Sequence, residues 1–226
     1  MTPFRATPAG FVATWEPVER EVLARVARDV AGLLRADSGL PDDATEADVA
    51  FTGVARVPRD PAVQRLLPDA HREDADVAAE FRHLTQTDLA AGKVGRLEAF
   101  ADAVDPADAD VLPADPEGEG QVLVPRDGAQ DFAGALTDVR LVLGERLGLD
   151  DDADVELLHH HVLAGVVPDD GSDGGAAGAD DGTGGAQDAL DAEQRFYWGG
   201  VFVAAGFAQE SLMDEMLAEL RARRTD

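Results

Sequence analysis

FYWGGVFVAAGFA, residues 196–208, is the longest apolar stretch of this 226-residue chain and the strongest indication of its fold class. Apolar side chains occur here around the whole helical turn, which is typical of a helix enclosed by others. The stretch is shorter than the roughly 20 residues that a membrane-spanning helix needs. It therefore predicts the centre of a helical core, in which Gly199, Gly200 and Gly206 let another backbone pack closely.

The apolar stretch belongs to a longer predicted helix, about 190–223, which becomes amphipathic from residue 212. One stripe of this helix steps by four and three residues, as the seam of a coiled coil does. The stripe consists of Trp198, Phe202, Ala205, Gln209, Leu212 and Met216. Two interpretations stay open: a core helix of this chain, or a helix that pairs with a partner or a second copy. Met213 and Met216 would give a partner helix adaptable contacts.

Other segments with a helical apolar period predict the rest of a bundle. We expect helices from Pro17 to about Arg35, over 61–67, over 73–84, from Thr85 to about Val104, and from Asp127 to Leu147. Inward-facing side chains are predicted at Val18, Val22, Val26, Val30, Leu33, Val77, Phe81, Leu84, Leu89, Leu97, Phe100, Val104, Phe132, Leu136, Val139, Leu143 and Leu147. The boundary at Thr85 rests on the capping-box spacing of Thr85 and Asp88.

Two short segments alternate apolar and polar residues and predict a small β element. Residues 4–15 alternate around a turn at 8–10, which is typical of a hairpin, and residues 121–124 form a strand that pairs with it. The fold is therefore predicted as mainly α, a bundle of five to six helices with a small antiparallel β element. We expect one domain, 1–226, with acidic flexible loops at 37–59, 105–120 and 149–190.

The net charge of −27 is concentrated in a few segments. Residues 37–48, 102–119, 150–156 and 169–193 hold 25 of the 46 acids and no lysine or arginine, so the remainder is nearly neutral. The overall sign opposes unaided binding to DNA, RNA or anionic lipid. The chain has no cysteine, which excludes disulfides, thiolate nucleophiles and thiol sensing. No secretory signal is recognisable at the N-terminus, so we expect a cytoplasmic protein.

Candidate reactive groups do not assemble into a catalytic or metal-binding pattern. Glu80 and His83 form half of a di-iron ligand set, but no second Glu-x-x-His follows. His159, His160 and His161 follow an acidic segment, which we interpret as a polar stretch without a bound metal. The glycines of 171–185 lack the lysine of a phosphate-binding loop. We therefore predict no catalytic residue, no metal, no cofactor and no enzymatic activity.

Residues 61–104 offer one alternative, a three-helix DNA-binding unit whose helices meet at Thr85. The segment 59–101 holds six basic and eight acidic side chains, which is the wrong sign for a surface that contacts phosphates. Direct DNA binding therefore remains the second interpretation.

Several separate motifs resemble those of one actinobacterial family, in the same order along the chain. They are Pro3–Arg5, Asp60–Ala62, Leu66–Ala70, Glu80–Thr85, Leu136–Leu141, Gly144–Gly148 and Gln209–Leu212. The family was long labelled only as a domain of unknown function and includes oxidative-stress transcription regulators of the AosR type. The resemblance implies a cytoplasmic regulator that modulates stress transcription with a sigma factor. Redox sensing in that family rests on a cysteine pair, which this chain lacks.

Together these observations predict a non-enzymatic regulatory protein that contacts a protein partner, a sigma factor or RNA polymerase, through its helices. The predicted contact surface consists of Arg140, Arg146, Gln209, Glu210, Met213 and Met216. A homodimer and an uncharacterised structural or adaptor role stay open.

Overall fold

The computed structural model describes residues 1–40, 57–69, 74–105, 120–165 and 190–224. Its elements are β1 (Arg5–Thr7), β2 (Gly10–Thr14), α1 (Pro17–Ser38), α2 (Pro61–Leu66), α3 (Ala75–Val104), β3 (Gln121–Val124), α4 (Ala129–Leu147), α5 (Asp152–Ala164) and α6 (Ala192–Arg223). The predicted bundle with an N-terminal hairpin and one further strand is confirmed. Within the described ranges, no helix combines the length and apolar content needed to cross a bilayer.

The three strands form an antiparallel sheet in the order β1-β2-β3, with Phe11 opposite Val124. Strand β1 lies at an edge, where backbone N–H groups would be left without partners. Side chains of α6 bind the N–H groups of β1 and of the residue before it: Ser211 Oγ accepts from the Phe4 N–H at 3.2 Å, and Glu215 Oε2 accepts from the Ala6 N–H at 3.1 Å. The sheet is thereby fixed to α6.

An aromatic cluster joins the sheet to the helices. The ring of Phe132 in α4 lies 5.8 Å from Phe4, 6.3 Å from Trp15 and 4.7 Å from Phe100 of α3, measured between ring centroids. All four side chains are buried. The stripe predicted for α4 is buried at all five positions, which makes α4 the central helix of the core.

Helix α6 packs on α4 of the same chain, with Phe202, Ala205 and Leu212 buried between them. The structure thus supports the core-helix interpretation of the stripe from Trp198 to Met216. The prediction that 196–207 is enclosed on all sides is wrong, because Tyr197 and Phe207 are exposed. Helix α6 borders the bundle, with α4 and α5 on only part of its circumference.

The glycines of α6 make room for side chains rather than for another backbone. A Cβ at Gly199 would overlap Leu158 of α5, and one at Gly206 would lie 3.5 Å from the guanidinium of Arg140. Nothing lies within 4 Å of the corresponding point at Gly200.

Helix α3 corrects the predicted boundary at Thr85. It runs without interruption from Ala75 to Val104, with Asp74 as its N-cap. The Thr85 hydroxyl donates to the Phe81 carbonyl at 2.9 Å, a bond within the helix that replaces the predicted cap. The turn between two helices that the DNA-binding interpretation placed at Thr85 is therefore not formed.

Several side chains predicted to face inward are exposed: Val18 in α1, and Val77, Phe81, Leu84 and Leu89 in α3. The inward-facing predictions at Val30, Leu97, Phe100 and Val104 are confirmed, and these side chains are buried with Leu23 where α1 and α3 pack together. Arginines of α1 add polar contacts to the end of α3: Arg20 Nε donates to the Val104 carbonyl at 2.5 Å, and Arg35 pairs with Glu98 at 2.6 Å.

Helix α5 lies inside the predicted loop 149–190, so that prediction is wrong over 152–164. Its acids do not oppose helix formation, since Asp151 and Asp154 form a capping box and negative charge in the first turn suits the helix dipole. Gly165, in a left-handed conformation, is the C-cap of the helix.

Most of the remaining residues of the three predicted loops cannot be compared with the prediction. Residues 41–56, 106–119 and 166–189 lie outside the described residues. Helix α4 begins at Ala129 with Gly128 as its N-cap, rather than with the predicted Asp127 cap.

Candidate functional site

Arg140 and Gln209, two of the predicted contact residues, lie in the α4–α6 contact. Arg140 Nη1 donates to Gln209 Oε1 at 2.9 Å, and Gln209 Nε2 donates to Thr137 Oγ1 at 2.7 Å. The guanidinium carbon of Arg140 lies 5.0 Å from the centroid of the Phe202 ring, a cation–π arrangement. These two side chains hold α6 on α4.

The other four predicted contact residues differ in what they touch. Arg146 pairs with Asp60 Oδ2 at 2.5 Å and ties α4 to the start of α2. Met216 packs partly buried against the core, whereas Glu210 and Met213 are exposed. A role of these residues in binding a partner stays a prediction.

A buried ionic network, which no sequence pattern predicted, links α3 to α4. The carboxylate of Asp138, which is fully buried, accepts from Lys93 Nζ at 2.6 Å and from Arg96 Nε at 2.8 Å. Gly134, one turn earlier on α4, leaves space for the Arg96 guanidinium 3.3 Å from where a Cβ would stand. The only sequence signals were the single lysine of the chain and an aspartate beside an apolar stripe. Because Asp138 has no solvent contact, we interpret the network as one that stabilises the packing of α3 on α4.

A cleft of about 730 Å³ lies where α1, α4 and the start of α6 meet. Its apolar lining includes Val30, Leu33, Leu143 and Trp198, and its charged groups are Asp29, Glu145, Arg146 and Arg195. Two acids and two arginines give the cleft no net sign. The described lining is mostly apolar and offers no hydroxyl, imidazole or thiol, so the cleft has the chemistry of an apolar binding surface with charged groups at its border.

The histidines and carboxylates singled out in the sequence do not converge. Glu80 and His83 lie exposed on α3, and His159, His160 and His161 follow one another along α5. Among the described residues, no three potential metal ligands lie close enough to hold an ion.

The most distinctive surface features are two rows of exposed apolar side chains at helical spacing. The first, which we call the α3 stripe, consists of Val77, Phe81 and Leu84, exposed by 47%, 51% and 57%. The second, the α6 stripe, consists of Met213, Leu217 and Leu220, exposed by 44%, 42% and 54%. Each places three large side chains at i, i+4 and i+7, on one helix face.

The α3 stripe has an acidic margin. Asp76, Glu80 and Asp88 are exposed along it, and the ion pairs of the described chain do not include them. Arg82, the nearest cation on the helix, is bound to Asp69. The surface therefore combines an apolar centre with a negative border, which suits a partner segment with apolar and basic side chains.

The chain belongs to a family described as a domain of unknown function, DUF2017, which matches residues 1–216. No curated protein and no solved structure matches the chain.

Proposed function

We propose that this protein is a non-enzymatic regulator that binds a protein partner through the α3 stripe. The partner we propose is a component of the transcription machinery, a sigma factor or RNA polymerase, and the process is stress-response transcription. The observation that supports binding is the stripe itself: three large apolar side chains about half exposed on a helix with acidic margins.

The energetics favour binding as the role of these side chains. Complete burial of an apolar side chain of this size is favourable by roughly 1.5–3 kcal/mol. Covering the exposed half of three such side chains would therefore contribute a few kcal/mol to the free energy of binding. Contiguous exposed apolar surface with a polar rim is a common feature of interaction sites. The unpaired carboxylates would speed the approach of a basic partner and select against an acidic one.

The choice of a transcription component rests on the resemblance of the motifs to AosR-type regulators. In this chain the trigger is not a disulfide, since there is no cysteine. Two features of α3 favour a protein partner over DNA. Helix α3 is continuous through Thr85, and the acids beside the α3 stripe would repel phosphate.

The test is a binding titration of the immobilised full-length protein by biolayer interferometry. Purified sigma factor, core RNA polymerase and duplex DNA are applied separately at low and high salt. We expect saturable binding of a polymerase component and no DNA binding at low ionic strength. Failure of both sigma factor and polymerase to bind would contradict the proposal. DNA binding with a steep salt dependence would instead support the direct DNA-binding alternative.

A further inference from the structure

The C-terminal half of α6 presents three faces, and two of them are occupied within the chain. Leu212 and Met216 pack into the core. Ser211, Glu215 and Glu219 bind the sheet and its connections. Ser211 accepts from the Phe4 N–H just before β1, and Glu215 accepts from the Ala6 N–H within β1. Glu219 pairs with Arg126, which also donates to the Thr7 carbonyl at 2.6 Å. The α6 stripe lies on the third face, which no described element covers.

The third face carries opposite charges at its two ends. Glu210 precedes Met213 by three residues, and Arg224 follows Leu220 by four, so both continue the spacing of the stripe. Each lies seven residues from Leu217, in opposite directions. The ion pairs of the described chain include neither residue.

We propose that the α6 stripe is a self-association surface, on which the α6 helix of a second copy packs antiparallel and crosses near Leu217. In this arrangement Glu210 of each copy lies near Arg224 of the other, so the same favourable pair forms twice about a two-fold axis. A parallel arrangement would bring Glu210 to Glu210 and Arg224 to Arg224, and like charges would oppose it. Charge complementarity thus selects both a second copy as the occupant and its direction.

The length of the contact sets the strength of the association. Residues 210–224 span about 22 Å of helix. One helix face of this length buries less surface than the roughly 800 Å² per partner that is typical of stable complexes. The dimer is therefore weak and depends on protein concentration. It uses a different helix from the α3 stripe, so it does not rest on the proposed function.

Sedimentation equilibrium of the full-length protein over a wide concentration range tests the proposal. The wild type is expected to dimerise reversibly. Leu217→Glu places like charges near the axis and should weaken the dimer by more than about tenfold. Leu163→Glu, the same change at an exposed leucine of α5, should leave it unchanged.

A charge exchange tests the direction. Glu210→Arg and Arg224→Glu should each weaken the dimer by roughly tenfold at low salt, since two attractive exposed pairs become repulsive. The double variant Glu210→Arg/Arg224→Glu should restore it. A wild type that stays monomeric at every concentration, equal effects of Leu217→Glu and Leu163→Glu, or a double variant as weak as the single ones would overturn the proposal.

Discussion

The two halves of α3 have similar apolar side chains but opposite surroundings. From Ala90 onward the helix packs against α1 and α4, with Leu97 and Phe100 buried and with Lys93 and Arg96 bound to the buried Asp138. Before that point, the α3 stripe exposes Phe81 and its neighbours to solvent. In one half charges are buried and paired, and in the other apolar groups are exposed beside unpaired acids.

The difference follows from the lengths of the helices. At 1.5 Å per residue, α3 with 30 residues is about 45 Å long, and α1 with 22 residues is about 33 Å long. Helix α1 contacts the C-terminal half of α3, where Arg35 reaches Glu98 and Arg20 reaches Val104. The difference of about 12 Å, or about eight residues, leaves the first turns of α3, with Val77 and Phe81, beyond this cover. An apolar stripe therefore contributes to the core only where a second element is long enough to reach it.

A matched pair of phenylalanines on α3 gives the largest expected contrast. Phe100→Ala removes a buried ring from the aromatic cluster and should lower the free energy of unfolding by about 3–5 kcal/mol. Phe81→Ala, the same change in the exposed half, should alter it by less than about 0.5 kcal/mol. Urea denaturation followed by circular dichroism measures both. Equal losses would mean that the α3 stripe is part of the core.

Disruption of the buried network around Asp138 should cause the next largest loss of stability. Asp138→Ala leaves Lys93 and Arg96 without their shared carboxylate, and both cations are mostly buried. We expect a loss of about 2–3 kcal/mol of stability, because a buried charge without its partner is costly. Asp131→Ala, at an exposed position on the same helix, is the control and should change stability by about 0.5 kcal/mol or less. If the two variants unfold at the same urea concentration, the network does not stabilise the packing of α3 on α4.

The exposed ion pair between α6 and the sheet should give the smallest effect, and one that depends on pH. Hydrogen bonds from Arg126 hold the pKa of Glu219 below its usual value. A lowered pKa in the folded state adds stability that is fully present above the unfolded value of about 4.3 and is lost as pH falls through the folded value. The wild type should therefore be slightly more stable than Glu219→Gln at neutral pH.

Urea midpoints at neutral pH and near pH 3 test this expectation. The difference between wild type and Glu219→Gln should shrink in acid, while Glu156→Gln, at an exposed position on α5, should match the wild type at both. A difference that persists unchanged in acid would show that the Glu219 charge is not its cause.

The sequence predicted those parts of the fold in which a local pattern is sufficient. The α4 stripe from Phe132 to Leu147 and the alternation in β2 and β3 were correct, since period and burial coincide there. The exposure of Phe81 could not be predicted, because its spacing from Val77 and Leu84 is the same as in a buried stripe. Helix α5 was missed because its capping acids resemble the composition of a loop.

The candidate site was harder to predict, because contacts between distant segments decide it. Arg140 was expected to face a partner, but Phe202 and Gln209, more than sixty positions away, hold it inside the α4–α6 contact. Asp138 meets Lys93 across 45 positions. No local spacing indicates either pairing. Charged side chains could therefore be identified from the sequence, but not which of them are available to a partner.

The role of the α3 stripe in binding a partner is tested by measuring the affinity of three forms of the protein for purified RNA polymerase holoenzyme. These are the wild type, Phe81→Asp, and Phe207→Asp as a control at an exposed phenylalanine outside both stripes. We predict that Phe81→Asp weakens binding by about tenfold or more, equivalent to about 1.4 kcal/mol, while Phe207→Asp binds like the wild type. Equal affinity of Phe81→Asp and the wild type would show that the polymerase does not bind through the α3 stripe.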